Sequence, residues 1–373
     1  MDFIQIANQL QQSKNDLKEN WCLINGFPYQ LEQIEKMSLN ELSGRSFENL
    51  PKKLYKFFPD ICDGKCNYSI VALESNEVYL SAPSMFDDVF DSDISISFEE
   101  FYQYRIKSCL RWSNVVADET VSISEMEKAF LDKYNSVVKY DKQLDGLFLL
   151  DKLEETERGQ TVQFLLRLKI ELLKCKPYDA LRNAITADYN NFVEGIKNVF
   201  RVSCFTTNPM SQLMWGGSYA DEHRGFCVEY SIINDNQYED LLFNIKPVIY
   251  TMKRHPVTQE LLESYDKNWN EASLRDVYIN GVLRKSIDWA YQNEWRLVLP
   301  PQKTSQRGFT KLFFPISKVY LGNRMSSDRR KTIIDTCKKK GIPYVGVVRS
   351  SDYYEMQECR FLCEDCNLMG IHE

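Results

Sequence analysis

Gln292 and Glu294 stand two residues apart at the mouth of a strand-like run, Trp295–Leu299. In an extended strand, residues i and i+2 project from one face, so an amide and a carboxylate would share a cleft. Such a pair suits a reaction in which positive charge develops. The carboxylate steadies the charge, and the amide orients the attacking group. The same carboxylate also reads as half of an ion pair with Arg296 or Lys285, which contributes little if exposed. Paired charges perturb carboxylates at structural and catalytic sites alike, so both readings stand.

A second constellation lies in Arg201–Tyr230, RVSCFTTNPMSQLMWGGSYADEHRGFCVEY. Between two strand-like runs, Val202–Phe205 and Phe226–Tyr230, it places Trp215, Gly216, Gly217, Tyr219 and His223, one of only three histidines. A polar, glycine-bearing loop between strands is where function tends to sit. Trp215 and Tyr219 suit stacking on a flat ring, although aromatics are packing residues first. His223 suits a general base or a solvated loop position. Asp87, Asp88 and Asp91 offer hard oxygen ligands for magnesium or calcium, or the capping groups of a turn after Pro83. Cys359, Cys363, Cys366 and His372 offer a zinc set, or idle thiols near a terminus. There is no Walker-type glycine loop, G-x-S-x-G elbow or H-E-x-x-H pair in the chain.

The elements that must position these residues are bounded by composition. With 373 residues, one large domain with insertions or two domains are expected. A net charge of −7 disfavours broad electrostatic capture of nucleic acid or anionic lipid. No apolar run reaches the roughly 18 residues of a membrane helix. The first twenty residues carry an early acid and no long apolar core, unlike a signal peptide. Eleven cysteines, with Cys62 and Cys66 a close pair, are read as reduced thiols in a cytoplasmic protein.

Along the chain, residues 1–50 read as a helical extension from the spacing of Ile4, Ile6, Ala7 and Leu10. Strand character appears at Leu54–Phe58 and at Val78–Leu80. It returns at Val202 and continues through Val248–Tyr250, Trp295–Leu299, Lys311–Phe314, Val319–Leu321 and Tyr344–Val348. Residues 101–198 carry helical periodicity, as at Val162, Leu165, Leu166, Ile170 and Leu173, with few glycines. Ser327–Lys340 reads as a helix stopped by Gly341. The expectation is an α+β fold. Residues 51–100 and 199–350 form a mixed or antiparallel core sheet, 101–198 a helical insertion, and 351–373 a cysteine-rich tail.

Five motifs in this order resemble the prokaryotic family called domain of unknown function 2971. They are Leu54–Phe57, Phe86–Asp91, Ser203–Thr206, Met214–Tyr230 and Gln292–Arg296, within about residues 54–322. The chain departs from the family pattern at Asp87, Val89 and Gln292. Motif order is also similar to that of ADP-ribosyltransferases, with Gln292–Asn293–Glu294 in place of their last strand motif. That similarity implies NAD as cofactor, without a metal. Glu294, Gln292, Tyr55 and His223 would be catalytic. Lys56, Ser203, Thr206, Trp215, Tyr219 and Arg296 would bind the cofactor, and Phe86, Asp87, Asp88, Asp91, Glu229 and Lys285 would line the pocket. Cleaving the nicotinamide–ribose bond develops oxocarbenium character, as in glycoside hydrolysis. The function implied is a toxin or phage-defence effector acting on a macromolecular or small-molecule acceptor. Two other classes are a ligand sensor or interaction module built on Trp215–Gly225, and a metal-dependent nuclease using Asp87, Asp88, Asp91 and Glu229. The convergence of Tyr55, Asp88, Trp215, Tyr219, His223 and Glu294 on one cleft is the expectation that ties these motifs together.

Overall fold

The computed structural model describes residues 20–38, 40–42, 50–60, 67–86, 88, 90–91, 96–112, 121–138, 155–198, 200–254, 258, 261–262, 281–304, 308–310 and 313–359. The chain divides into two compact units. The first comprises Met1–Asp93, Asn198–Arg254 and Val282–Glu373, and the second Ile94–Lys197 and His255–Gly281.

The first unit holds twelve strands among the described residues. They are β1 (Trp21–Ile24), β2 (Phe27–Gln30), β3 (Lys53–Phe58), β4 (Arg201–Thr206), β5 (Phe226–Ser231), β6 (Ile245–Pro247), β7 (Ile249–Thr251), β8 (Arg284–Ser286), β9 (Glu294–Leu299), β10 (Ile316–Leu321), β11 (Tyr344–Arg349) and β12 (Met356–Glu358). Eight form one mixed sheet in the order β12-β11-β10-β5-β3-β4-β9-β6. Only β10 and β11 run parallel in it, joined by the helix Ser327–Lys340. A parallel pair needs such a crossover, and a helix is its usual form. Ser326 caps that helix, and Gly341 ends it at φ 66°, the left-handed stop that glycine adopts freely.

The central strands are buried on both faces, which explains their dense Val, Phe, Tyr and Leu content. β9 is buried at all six positions and β5 at five of six. The sequence reading of β3, β4, β5, β9, β10 and β11 agrees with the structure because β-branched and aromatic residues pack well on a pleated sheet.

Other expectations shift. Residues 1–19 lie outside the described residues, but Trp21–Gln30 is a hairpin rather than helix. Asn25 and Gly26 turn it with φ of 53° and 78°, the pairing of positive φ values that a tight hairpin turn demands. The short helix Leu31–Lys36 follows. The hairpin belongs to a four-stranded sheet, β2-β1-β7-β8. Val78–Leu80 makes only an isolated bridge, Tyr79 to Phe309. Lys311 lies outside the described residues, and Phe313–Phe314 is irregular. Val248 interrupts the Val248–Tyr250 stretch, separating β6 from β7.

The second unit is helical in its described residues, with Phe98–Trp112, Ile123–Val138, Glu155–Leu172 and Pro177–Lys197. Its interior holds Phe101, Ile106, Phe130, Leu165, Leu168, Leu181 and Ile185, each at most 3% exposed. Arg105, only 2% exposed, meets Asp188 at 2.5 Å. No described helix is long and apolar enough to cross a membrane.

Candidate functional site

Strand register in the large sheet aligns the motif residues. Tyr55 lies opposite Glu229 on one side and Thr206 on the other, and Thr206 lies opposite Glu294. Residues directly opposed across antiparallel strands share a face. Glu229, Tyr55, Thr206 and Glu294 therefore form a row across β5, β3, β4 and β9. Phe57, two residues beyond Tyr55, shares that face, and Trp215 packs edge-on against it at 5.1 Å. Glu294 and Trp215 thus lie on the same side of the sheet.

At one end of the row, Glu294 sits in a buried charge network. Its Oε1 accepts from Arg296 Nε at 2.6 Å and its Oε2 from Lys285 Nζ at 3.0 Å. Asp91 meets the same two cations, Arg296 at 2.6 Å and Lys285 at 2.8 Å. Two carboxylates and two cations sum to zero charge, and all four side chains are at most 7% exposed. Burial pushes the Glu294 carboxyl up, but the Arg296 and Lys285 charges outweigh it and hold it well below the usual range. Burial likewise opposes the Lys285 charge, and Glu294 and Asp91 more than restore it. The network continues outward. Lys285 donates to Gln292 Oε1 at 2.9 Å, and Gln292 Nε2 donates to the Tyr219 hydroxyl at 2.6 Å. Phe86 lies 5.6 Å from the Arg296 guanidinium and Trp289 5.2 Å from Lys285. Three separated motifs meet here, contributing Phe86 with Asp91, Tyr219, and Gln292 with Glu294 and Arg296. Thr206 is tied to them, donating its hydroxyl to the Gln292 carbonyl at 2.5 Å.

At the other end, Glu229 accepts from Tyr320 at 2.7 Å, Ser317 at 2.7 Å and Lys53 at 2.7 Å. Burial raises the Glu229 carboxyl, and these donors together lower it below the ordinary value. Tyr55 is raised, by burial and then by the Glu229 charge beside it. Glu229 is therefore a saturated acceptor, a role that sequence left unread because its donors come from β3 and β10.

The segment Ser211–Gly225 crosses this face. Ser211 caps a short helix, Gln212–Gly216. Trp215 is fully buried and donates its indole N–H to the Pro209 carbonyl at 2.7 Å. It is a packing residue, with no face open to a ligand. Tyr219 remains half-buried, its hydroxyl pushed up to about 12 by burial. Asp221, Glu222 and His223 follow with φ of 48°, 51° and 70°. Three successive non-glycine residues in the left-handed region are rare and strained. Backbone contacts with the helix Gln212–Gly216 and with the loop after β10 hold them. The His223 N–H donates to the Trp215 carbonyl at 2.9 Å, and the His223 carbonyl accepts from Arg324 at 3.1 Å. The imidazole lies parallel to the Trp215 ring at 6.3 Å. Burial, then the Arg324 and Arg349 charges, lower its pKa.

His223 borders a cavity of about 1000 Å³, with Gln212, Asn323, Arg349 and the segment Ser350–Cys359 among its walls. Asn323 and Arg349 sit at the carboxyl ends of β10 and β11. That is where ligands bind in sheets with parallel strands. Nδ1 of His223 and Oδ1 of Asn323 are buried atoms without a hydrogen-bond partner. Sequence reading missed Asn323, Arg349 and Gln212. Their signal was the strand–Gly322–Asn323–Arg324–helix succession, which marks a crossover loop.

Several sequence-stated residues fall elsewhere. Lys56 alternates with Tyr55 and points to the opposite face, where its Nζ donates to the Cys204 carbonyl at 3.2 Å beside the Phe205 ring. Ser203 is buried with its hydroxyl unpartnered, and its alternation with Thr206 puts it on the Lys56 face too. Asp88 accepts from Phe90 N at 2.9 Å, a local turn bond. Asp87, Cys62, Cys66, Cys363, Cys366 and His372 lie outside the described residues, and Cys359 is buried. Asp91 pairs with Arg296 and Lys285, and Glu229 with Lys53, Ser317 and Tyr320. Among the described residues no three His, Cys, Asp or Glu side chains gather to hold a metal, because each of these two acids is already matched to cations or hydroxyls.

Residues 214–297 match the family model described as Protein of unknown function (DUF2971). The match covers the Trp215–His223 segment and the Gln292–Arg296 motif. Neither a curated protein nor a solved structure matches the chain.

Proposed function

We propose that this chain is a ligand-binding, sensor-type module whose site is the cavity bordered by His223, Asn323 and Arg349. The observation that carries this reading is a cavity whose wall includes His223 and Asn323, each of which also holds a buried polar atom without a partner, Nδ1 and Oδ1 respectively. Leaving a buried polar atom unpaired costs about 1–3 kcal/mol, a cost that a bound polar ligand offsets. The strained turn that presents His223 supports the same reading, since strain gathers at ligand clamps.

The NAD-cleaving transferase or defence-effector reading rests on Glu294 facing a substrate. Glu294 is 4% exposed and already neutralised by Arg296 and Lys285. A carboxylate in that state has little charge left to stabilise an oxocarbenium-like transition state. It favours the ion-pair role.

Two measurements test the proposal. The first is a panel of polar metabolites, screened by shifts of the His223 imidazole signals; at least one compound is expected to bind saturably and to lose affinity in His223→Asn. The second is nicotinamide release from NAD, which is expected to be absent. Release abolished in Glu294→Gln with an unchanged melting temperature would overturn the binding reading in favour of the transferase.

A further inference from the structure

Resting on the cavity reading above, we infer that the ligand is a small hydroxyl-bearing anion of the sugar-phosphate class, with Arg349 on its anionic group and Asn323 on a hydroxyl. Three features of the walls lead there. Arg349 lines the cavity, and Arg324 stands close enough to act on His223. Neither guanidinium is paired with a carboxylate among the described residues. A planar guanidinium at a cavity wall is the group best shaped for a phosphate's oxygens.

The second feature is the Asn323 Oδ1. It is an acceptor, and it is buried without a donor. A bare anion offers it nothing, whereas a sugar hydroxyl supplies the missing hydrogen. Gln212 adds an amide on the same cavity. The third is His223 itself. Its Nδ1 has no partner, and burial, then the Arg324 and Arg349 charges, disfavour the charged imidazole, an effect that an anion among those cations offsets. Asp352, Glu355 and Glu358 also border the cavity. Glu358 is already paired with Lys318 at 2.6 Å. The remaining acids disfavour a highly charged polyanion and suit a ligand with one anionic group and several hydroxyls. A volume of about 1000 Å³ admits such a molecule with water.

Imidazole NMR on the full chain tests this, because there are only three histidines to resolve, with His223→Asn as the assignment control. The probes are ribose 5-phosphate, ribose and inorganic phosphate. Ribose 5-phosphate is expected to shift the His223 signals saturably and to raise the pH at which they titrate. Arg349→Gln is expected to weaken it by about tenfold or more, the loss usual for one charge-assisted contact. Asn323→Ala should weaken it several-fold, with melting temperatures showing that both variants fold. Ribose binding as tightly as ribose 5-phosphate, or an unchanged affinity in Arg349→Gln, overturns the anionic assignment. Inorganic phosphate binding as tightly overturns the sugar assignment. In each of those outcomes a shift at His223 leaves the cavity reading standing. Silence at His223 with these probes and with the metabolite panel removes both.

Discussion

Each oxygen of the Glu294 carboxylate meets its own cation, and Asp91 closes the set from the other side of both. Desolvating ions is costly, and a complete, hydrogen-bonded set offsets that cost. Removing one member leaves an uncompensated charge. Glu294→Gln is therefore expected to lower stability by roughly 3–5 kcal/mol, read from urea unfolding midpoints. Tyr219→Phe, which loses only the bond from Gln292, should cost about 1 kcal/mol. His223 carries a pH signature. Its folded pKa lies below the unfolded value near 6.5, so the unfolded chain binds more protons between the two. Stability then rises with pH through that window and is lost as pH falls below about 6.5. Unfolding midpoints across pH should show this slope in the wild type and a flatter one in His223→Asn; asparagine tolerates the left-handed backbone.

At the scale of elements, the His223 turn is fastened between the ends of β5 and β10. A Cβ on Gly322 would lie 2.1 Å from the His223 carbonyl oxygen, and one on Gly225 would lie 2.1 Å from the Phe58 carbonyl oxygen. These contacts are backbone against backbone, so no side chain can move aside. Gly322→Ala is expected to destabilise by at least about 1–3 kcal/mol and to displace the cavity wall, read as a lowered melting temperature with weakened ligand response at His223. The turn also holds a removable strain. Glu222 has φ 51° and an exposed side chain whose pair with Arg224 is itself exposed. Glu222→Gly is expected to gain up to about 1 kcal/mol by relieving the left-handed penalty, since an exposed ion pair contributes less than that. A lower melting temperature for this variant would contradict the strain.

For the whole molecule, stability is expected to follow the sheet order. β5, β3, β4 and β9 each have strands on both sides, whereas β12 and β6 are edges. Amide hydrogen exchange should be slowest in these four central strands, approaching the global unfolding limit, and fastest at the edges Met356–Glu358 and Ile245–Pro247. Equal protection across the sheet would contradict that ordering. Because Glu358 and Cys359 on the β12 side also border the cavity, ligand binding should slow exchange at that edge more than at β6.

The sequence determined β3, β4, β5, β9, β10, β11 and the crossover helix because these signals are local. β-branched runs, Ser326 as cap and Gly341 as stop act within a few residues. It also marked Tyr219, His223, Gln292 and Glu294 as unusual, and the match over residues 214–297 falls on them. It could not choose between a catalytic and a paired Glu294, since Asp91 lies 203 positions away in the chain from that residue and reaches its partners only through folding. The Asn25–Gly26 hairpin was written locally as well, yet the helical spacing just before it obscured the turn. The cavity is the clearest tertiary decision. Asn323 and Arg349 are ordinary loop and strand-end residues until β10 and β11 align in parallel and the fold presses His223 against them. A backbone conformation that His223 resists alone is held there by contacts that no short stretch of sequence contains.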